Sequence, residues 1–162
     1  MFKHILIPTD GSQLSEQAAT AAIRMAKALG SRVTVLHVVP EPNGGGLDAW
    51  THDHKQFAAH LGKVLASRGN EYLETLCDLA RGAGVACDCA LVHGESAHAE
   101  ILVEARSRGC DLIVMASHGR TPDNSGLLAS ETIKVMTLGE VPVLVHHAPR
   151  AAARNAQVSA AG

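Results

Sequence analysis

Residues 116–130 read ASHGRTPDNSGLLAS and follow directly on the apolar residues Leu112, Ile113, Val114 and Met115. An apolar strand, a loop of small residues and a helix start form a layout that holds phosphate. The loop and first helical turn aim N–H groups at the anion, and the helix dipole favours its charge. Gly119 suits close approach and positive φ, and Arg120 supplies a cation for phosphate. Ser130 offers a hydroxyl and an N–H near the first turn of the last helix. A plain surface turn, with Ser130 as a cap or facing solvent, fits the same residues, and both readings stand on residue type.

A second constellation is ILIPTDGS, which contains Pro8, Thr9, Asp10 and Ser12. Asp10 follows the first apolar run, where a carboxylate can accept from a ribose hydroxyl or an adenine amino group. Equally, Asp10 or Ser12 can cap the following helix. The motif is neither G-x-G-x-x-G nor a Walker A loop, which counts against hydride transfer and P-loop chemistry. An adenylating or hydrolytic enzyme on a related fold would need a Ser-Gly-Gly-x-Asp-Ser type of loop after the first strand, which DGSQLS does not supply. No nucleophile, base and orienter set is evident. At most slow hydrolysis is expected, and the chain is not assigned as an enzyme.

Ten histidines are present. His52 and His54, with Asp48 and Asp53, could take a metal, but they lie in a stretch with no second anchor, and no metal is assigned. His118 falls inside the phosphate-type loop, His146 and His147 end the last strand, and His37 reads as a core histidine with its partners met. Four cysteines, Cys77, Cys87, Cys89 and Cys110, form no C-x-x-C pair. They read as reduced thiols, with Cys87 and Cys89 on one face of a strand.

The elements that must position these residues are legible. Apolar runs at 4–8, 33–39, 85–92, 112–116 and 141–145 are near-continuous and rich in Val, Ile and Leu, as in strands buried on both faces. Helical stretches lie between them, at 12–29, about 54–81, 96–107 and about 126–138. Strand and helix alternate, which predicts right-handed βαβ units and a parallel sheet with helices on both faces. Ligands of such sheets bind at the carboxyl ends of the strands.

The 162 residues suit one domain, and 2 % aromatic content leaves a core of Val, Leu, Ile and Ala. Few aromatics, a net charge of -2 and no Lys/Arg run longer than two exclude nucleic-acid partners. No apolar run approaches the ~20 residues of a membrane span. No signal peptide precedes the first strand. A cytoplasmic location is therefore expected.

Taken in order, ILIPTDGS, VTVLHVV, VHGESAHAEIL, CDLIVMASHGR and GLLASETIKVMTLGEVPVLV resemble the universal stress protein family. The likeness spans residues 2 to about 147. It implies a five-stranded parallel sheet of Rossmann-like, adenine nucleotide alpha-hydrolase-like type, with strand order 3-2-1-4-5. Residues 1–147 would form the domain and 148–162 a disordered tail. The resemblance further implies a stress-response protein that binds ATP, with or without Mg²⁺, or another adenine nucleotide as a regulatory ligand. It would act as a homodimer through the strand that opens on Val141 and closes on Val145. The alternative is a dimeric stress protein that binds no nucleotide and acts through protein contacts.

By the same resemblance Pro8, Thr9 and Asp10 line the nucleoside end, and the Val38 backbone meets the adenine edge. Ala116, Ser117, His118, Gly119 and Arg120, with Ser130, Glu131 and Thr132, hold ribose and phosphates. The family's Gly-x-x-Gly, nine residues, Gly-Ser frame reads here Ala116-x-x-Gly119, nine residues, Ala129-Ser130. An alanine with extended or helical dihedrals costs little there. One that needs positive φ strains the loop by ~1 kcal/mol or more, and one whose methyl points at a phosphate oxygen makes the ligand shift outward.

Overall fold

The computed structural model describes residues 1–41, 52–117 and 131–147, the side chains of 52–55 excepted. Among the described residues nine elements alternate: β1 His4–Pro8, α1 Gln13–Leu29, β2 Arg32–Pro40, α2 His52–Gly82, β3 Cys87–Gly94, α3 Ala97–Ser107, β4 Leu112–Ala116, α4 Glu131–Leu138 and β5 Val143–His146. The strands form one parallel sheet in the order β3-β2-β1-β4-β5. Both the alternation and the strand order match the sequence expectation.

Period-two alternation divides the core. Ile5, Ile7, Val33 and Val35 meet Ala19, Ala22, Ile23 and Ala26 of α1, and Leu73, Leu76, Cys77 and Ala80 of α2. On the other face, Leu6, Leu36, Ile113 and Met115 meet Ile101 and Ala105 of α3 and Val135 of α4. Five strand positions in a row are buried in β1 and again in β4, which is why their sequences show no alternation. In α1 the small residues at i, i+4 and i+8 (Ala18, Ala22, Ala26) let the helix lie close to the sheet, and Ile23 fills the core beside them. Only the later part of α2 is anchored in this way. Phe57, Leu61 and Val64, in its earlier part, are exposed.

Two strand boundaries differ from the apolar runs. Val85 is buried but belongs to the turn after α2, where its N–H donates to the Ala80 carbonyl at 2.9 Å. The ladder begins only at Cys87. At the last strand the run opens on Val141 and Pro142, yet β5 starts at Val143. Pro142 contributes only its carbonyl, which accepts from Ile113 N–H at 2.9 Å. Residues 126–130 of the last expected helix lie outside the described residues. So does the tail at 148–162.

The cysteines require a correction. Cys77 and Cys89 are joined by a disulfide, whereas all four were expected as reduced thiols. The reason is three-dimensional: Cys77 lies on the face of α2 that packs on β3, a pairing that no C-x-x-C spacing announces. The placement of Cys87 and Cys89 on one face holds, since both sulfurs reach Cys77.

Candidate functional site at the carboxyl end of the sheet

β1 and β4 are adjacent, and the strand order reverses between them, the place where open α/β sheets take ligands. Pairing between these two strands is recorded only at Ile5↔Leu112 and Leu6↔Ile113. By contrast, β1 stays paired with β2 as far as Pro8↔Leu36, and β4 with β5 as far as Ala116↔His146. The cause is Pro8. Thr9 N–H donates towards β2, to the Leu36 carbonyl at 2.8 Å, while the His4 carbonyl accepts from the β4 side, from Asp111 N–H at 2.9 Å. Successive residues of a parallel strand point their backbone groups to opposite neighbours, so position 8 faces β4, as position 4 does. Proline has no hydrogen to give there.

A similar parity argument places Val38. Leu36 turns its carbonyl to β1, so Val38 does too, but β1 has ended by then. The Thr9 carbonyl, which would have continued the ladder, accepts instead from the His37 ring, whose Nδ1 lies 2.8 Å away. His37 is thus the core histidine that its sequence context suggested.

Beneath this end lies a hydroxyl web. The Thr9 and Ser15 hydroxyls are 2.9 Å apart, and Gly11 N–H donates to Thr9 Oγ1 at 3.2 Å. Ser12 Oγ accepts from Ser15 N–H at 3.2 Å and caps α1. Asp10 Oδ1 accepts from Ser12 N–H at 3.0 Å. Of the two candidates for the cap, Ser12 holds the helix, and Asp10 orders the turn before it.

Two glycines let α2 close on this web, and neither role is legible from residue type or spacing. Gly11 has φ 73°, and a Cβ there would overlap the Tyr72 ring of α2. A Cβ on Gly69 would overlap the His37 ring. The His37 and Tyr72 rings meet edge to face at 5.8 Å. A Tyr on a long helix carries no sequence signal of such a corner.

On the β4 side, Thr132 Oγ1 donates to the Ala116 carbonyl at 2.7 Å and ties the described start of α4 to the end of β4. Ser117 N–H donates to the His146 carbonyl at 2.8 Å. Ala116 ends a strand, and among the described residues every positive φ belongs to a glycine. Its methyl therefore meets no left-handed backbone, and the case of backbone strain does not apply at this position.

Glu131 has a second engagement. Its Oε2 accepts from His98 N–H at 2.7 Å and lies 2.9 Å from His98 Nδ1, while Lys134 reaches its Oε1 at 2.8 Å. Burial works to raise this carboxyl, but the hydrogen bonds from Lys134 and His98 outweigh it and hold the group below the ordinary glutamate value. Ser96 makes no side-chain cap on α3, so a carboxylate from α4 does the capping instead. His118, Gly119, Arg120, Ala129 and Ser130 lie outside the described residues. So do the side chains of His52 and His54. The fold thus brings together Pro8, Thr9, Asp10, Val38, Ala116, Ser117, Glu131 and Thr132 at the carboxyl side of the sheet.

A five-stranded parallel sheet with helices on both faces, ordered 3-2-1-4-5 and unpaired at the end of its switch point, defines the Rossmann-like class. The model of the universal stress protein family matches residues 1–147, and the chain belongs to that family. It is 31 % identical over 147 residues to universal stress protein YxiE of Bacillus subtilis, covering 90 % of this chain and 99 % of the relative. It is 33 % identical over 153 residues to universal stress protein MJ0531 of Methanocaldococcus jannaschii, covering 93 % and 85 %. Among solved structures, the MJ0577 protein superposes with a TM-score of 0.71 at 28 % identity, covering 92 % of this chain and 98 % of that one. A universal stress protein solved in complex with cAMP shares the fold at TM-score 0.67 and 19 % identity, covering 91 % and 98 %.

Proposed function

We propose that this protein binds an adenine nucleotide, ATP with or without Mg²⁺ or another, as a regulatory ligand at the carboxyl end of its sheet. The observation that carries the reading is the early end of pairing between β1 and β4. It leaves the ends of both strands, and the β1-facing backbone of Val38, beside a turn ordered by a carboxylate. In this reading Pro8, Thr9 and Asp10 line the nucleoside. Val38 offers backbone N–H and carbonyl groups to the adenine edge. Ala116 to Arg120 and Ser130 to Thr132 hold ribose and phosphates, Glu131 and Thr132 through backbone N–H groups, since their side chains already have partners. The cAMP complex of a related fold supports an adenine ligand.

One edge of the sheet is β5, where Leu144 is exposed, and Met136 and Leu138 of the preceding helix α4 are exposed as well. An apolar edge of this kind invites pairing with a second copy, and a cytoplasmic homodimer completes the reading. Among the described residues no helix is long and apolar enough to cross a membrane.

Calorimetric titration with ATP, with and without Mg²⁺, is the test. The sharpest control is Asp10→Asn, which keeps an oxygen for the Ser12 N–H but replaces the other oxygen by a donor. Wild type should bind, and the variant should bind at least about 10-fold more weakly, the equivalent of ~1.4 kcal/mol. No heat at millimolar ATP would overturn the nucleotide reading and leave a dimer that acts through protein contacts.

A further inference from the structure

Far from the proposed nucleotide end, three cysteines from two elements converge at the β3 edge of the sheet. Cys87 and Cys89 stand two apart on β3, so their side chains leave one face. α2 covers that face and brings Cys77 onto them. The Cys77 and Cys89 sulfurs are bonded, and Cys87 Sγ lies 3.1 Å from Cys77 Sγ. All three sulfurs lie within 4.8 Å of one another. The tight turn from α2 to β3 fixes this meeting, with Gly84 N–H donating to Arg81 O and Val85 N–H to Ala80 O, both at 2.9 Å.

A disulfide needs two sulfurs, and this cluster has a third within reach of both. Three sulfurs so close suit one soft cation. With metal–sulfur bonds of ~2.3 Å, sulfurs that share an ion sit roughly 3.8–4.0 Å apart, so a small relaxation from the bonded state would centre them. Burial is graded: Cys77 is fully buried, Cys87 half-buried and Cys89 exposed. The inner sulfur is therefore held rigidly by the core, while the outer one leaves an entry path and a fourth position for solvent. Thiolates select Zn²⁺ and Cu⁺ over the harder cations.

We propose that, once the Cys77–Cys89 bond is reduced, Cys77, Cys87 and Cys89 together bind one thiophilic d¹⁰ cation, Zn²⁺ or Cu⁺. A dithiol reductant opens the bond by exchange, giving two protein thiols and its own cyclic disulfide. The cation then displaces three thiol protons and forms three metal–sulfur bonds. Disulfide and metal are mutually exclusive states of one cluster, and neither depends on nucleotide binding.

The test uses the full chain, reduced with a dithiol and freed of it by gel filtration without oxygen. Zn²⁺ and Cu⁺ are then titrated separately against chromophoric chelators of each ion. One ion per chain is expected in one arm or both, the tighter arm naming the cation. Co²⁺ should give thiolate-to-metal charge-transfer absorption. Cys87→Ser and Cys89→Ser, on the edge strand and checked for folding by circular dichroism, should each weaken binding beyond the roughly 10–100-fold that losing a supporting partner costs. Cys110→Ser, in the opposite core, should bind like wild type. Three results would overturn the proposal: a Cys87→Ser variant that binds like wild type, oxidised protein that keeps its ion, or reduced protein that holds neither cation at micromolar concentration.

Discussion

At the amino end of the sheet, Asp111 accepts Lys3 N–H at 2.8 Å and His4 N–H at 3.0 Å, and the buried His4 ring spans from the Arg108 carbonyl to Thr34 Oγ1. At the carboxyl end of the same two strands, pairing stops at Leu6↔Ile113, and the polar groups nearby are arranged around a turn. Both ends carry a histidine, an aspartate and a threonine. The amino end uses them to stitch β1 to β4 and β2. The carboxyl end uses Thr9 and His37 to fasten β1 to α1 and β2. The difference is the physical ground for the proposed ligand end: one end of the switch point is sewn shut, and at the other a proline withholds the next stitch.

The comparison is most exposed to a substitution showing that the carboxyl end is as rigid beneath its unpaired strands as the amino end. Gly11→Val would place a branched side chain at φ 73° and against the Tyr72 ring. Backbone strain and overpacking together should cost about 2–4 kcal/mol. Urea unfolding measures it. Adding Tyr72→Ala should return the overlap part of the loss but not the strain. A Gly11→Val protein as stable as wild type would mean that α2 does not brace this end.

The amino end is sharpened by pH. Burial, and then the nearby Arg32 charge, hold His4 below its ordinary value of 6.5, against the opposing pull of the Arg108 carbonyl, Asp88 and Asp111. The ring can therefore stay neutral, donating from Nδ1 to Arg108 O and accepting from Thr34 at Nε2. An unfolded chain takes up this proton below pH 6.5 while the folded one resists, so stability falls as pH drops from 6.5 to the lowered folded value. His4→Asn, which can still donate to Arg108 O, should flatten the urea-midpoint profile between pH 7 and 5. An unchanged slope would remove His4 from the closed end.

How much of this could be read in the residues depends on whether a feature is carried by one strand or by two. Five apolar runs and four helices were legible because burial on both faces writes itself along a single element, as in Leu112–Ala116. Val85 misled the β3 boundary because burial and ladder membership are separate properties. Asp10 and Ser12 were both legible as polar groups at a helix start, but only the folded backbone shows which one caps. The contacts of Glu131 with His98, Tyr72 with Gly11, and Cys77 with Cys89 each join residues on different elements, and no periodicity encodes them. Pro8 lies between these cases. A proline ending a strand is visible in the sequence, but that its missing hydrogen faces β4 rather than β2 follows only from the register.

That register permits the finest test. Pro8→Ala restores an N–H on the β4 side while an alanine can keep the extended backbone of β1. The change should move stability by less than about 1 kcal/mol, because losing the ring loosens the unfolded chain while one hydrogen bond can be gained. The informative readout is hydrogen exchange. If the parity argument is right, the new amide at position 8 will be protected as the β1–β4 ladder zips one step further, and ATP affinity will fall in parallel as the strand ends close. If the amide exchanges freely and affinity is unchanged, the ends of β1 and β4 are held apart by something other than the missing donor, such as the Thr132 tie to Ala116, and Thr132→Val would be the substitution to compare. If the amide is protected and affinity is unchanged, the closed stretch does not form part of the nucleotide site, and the ligand must lie over Asp10 and Val38 alone.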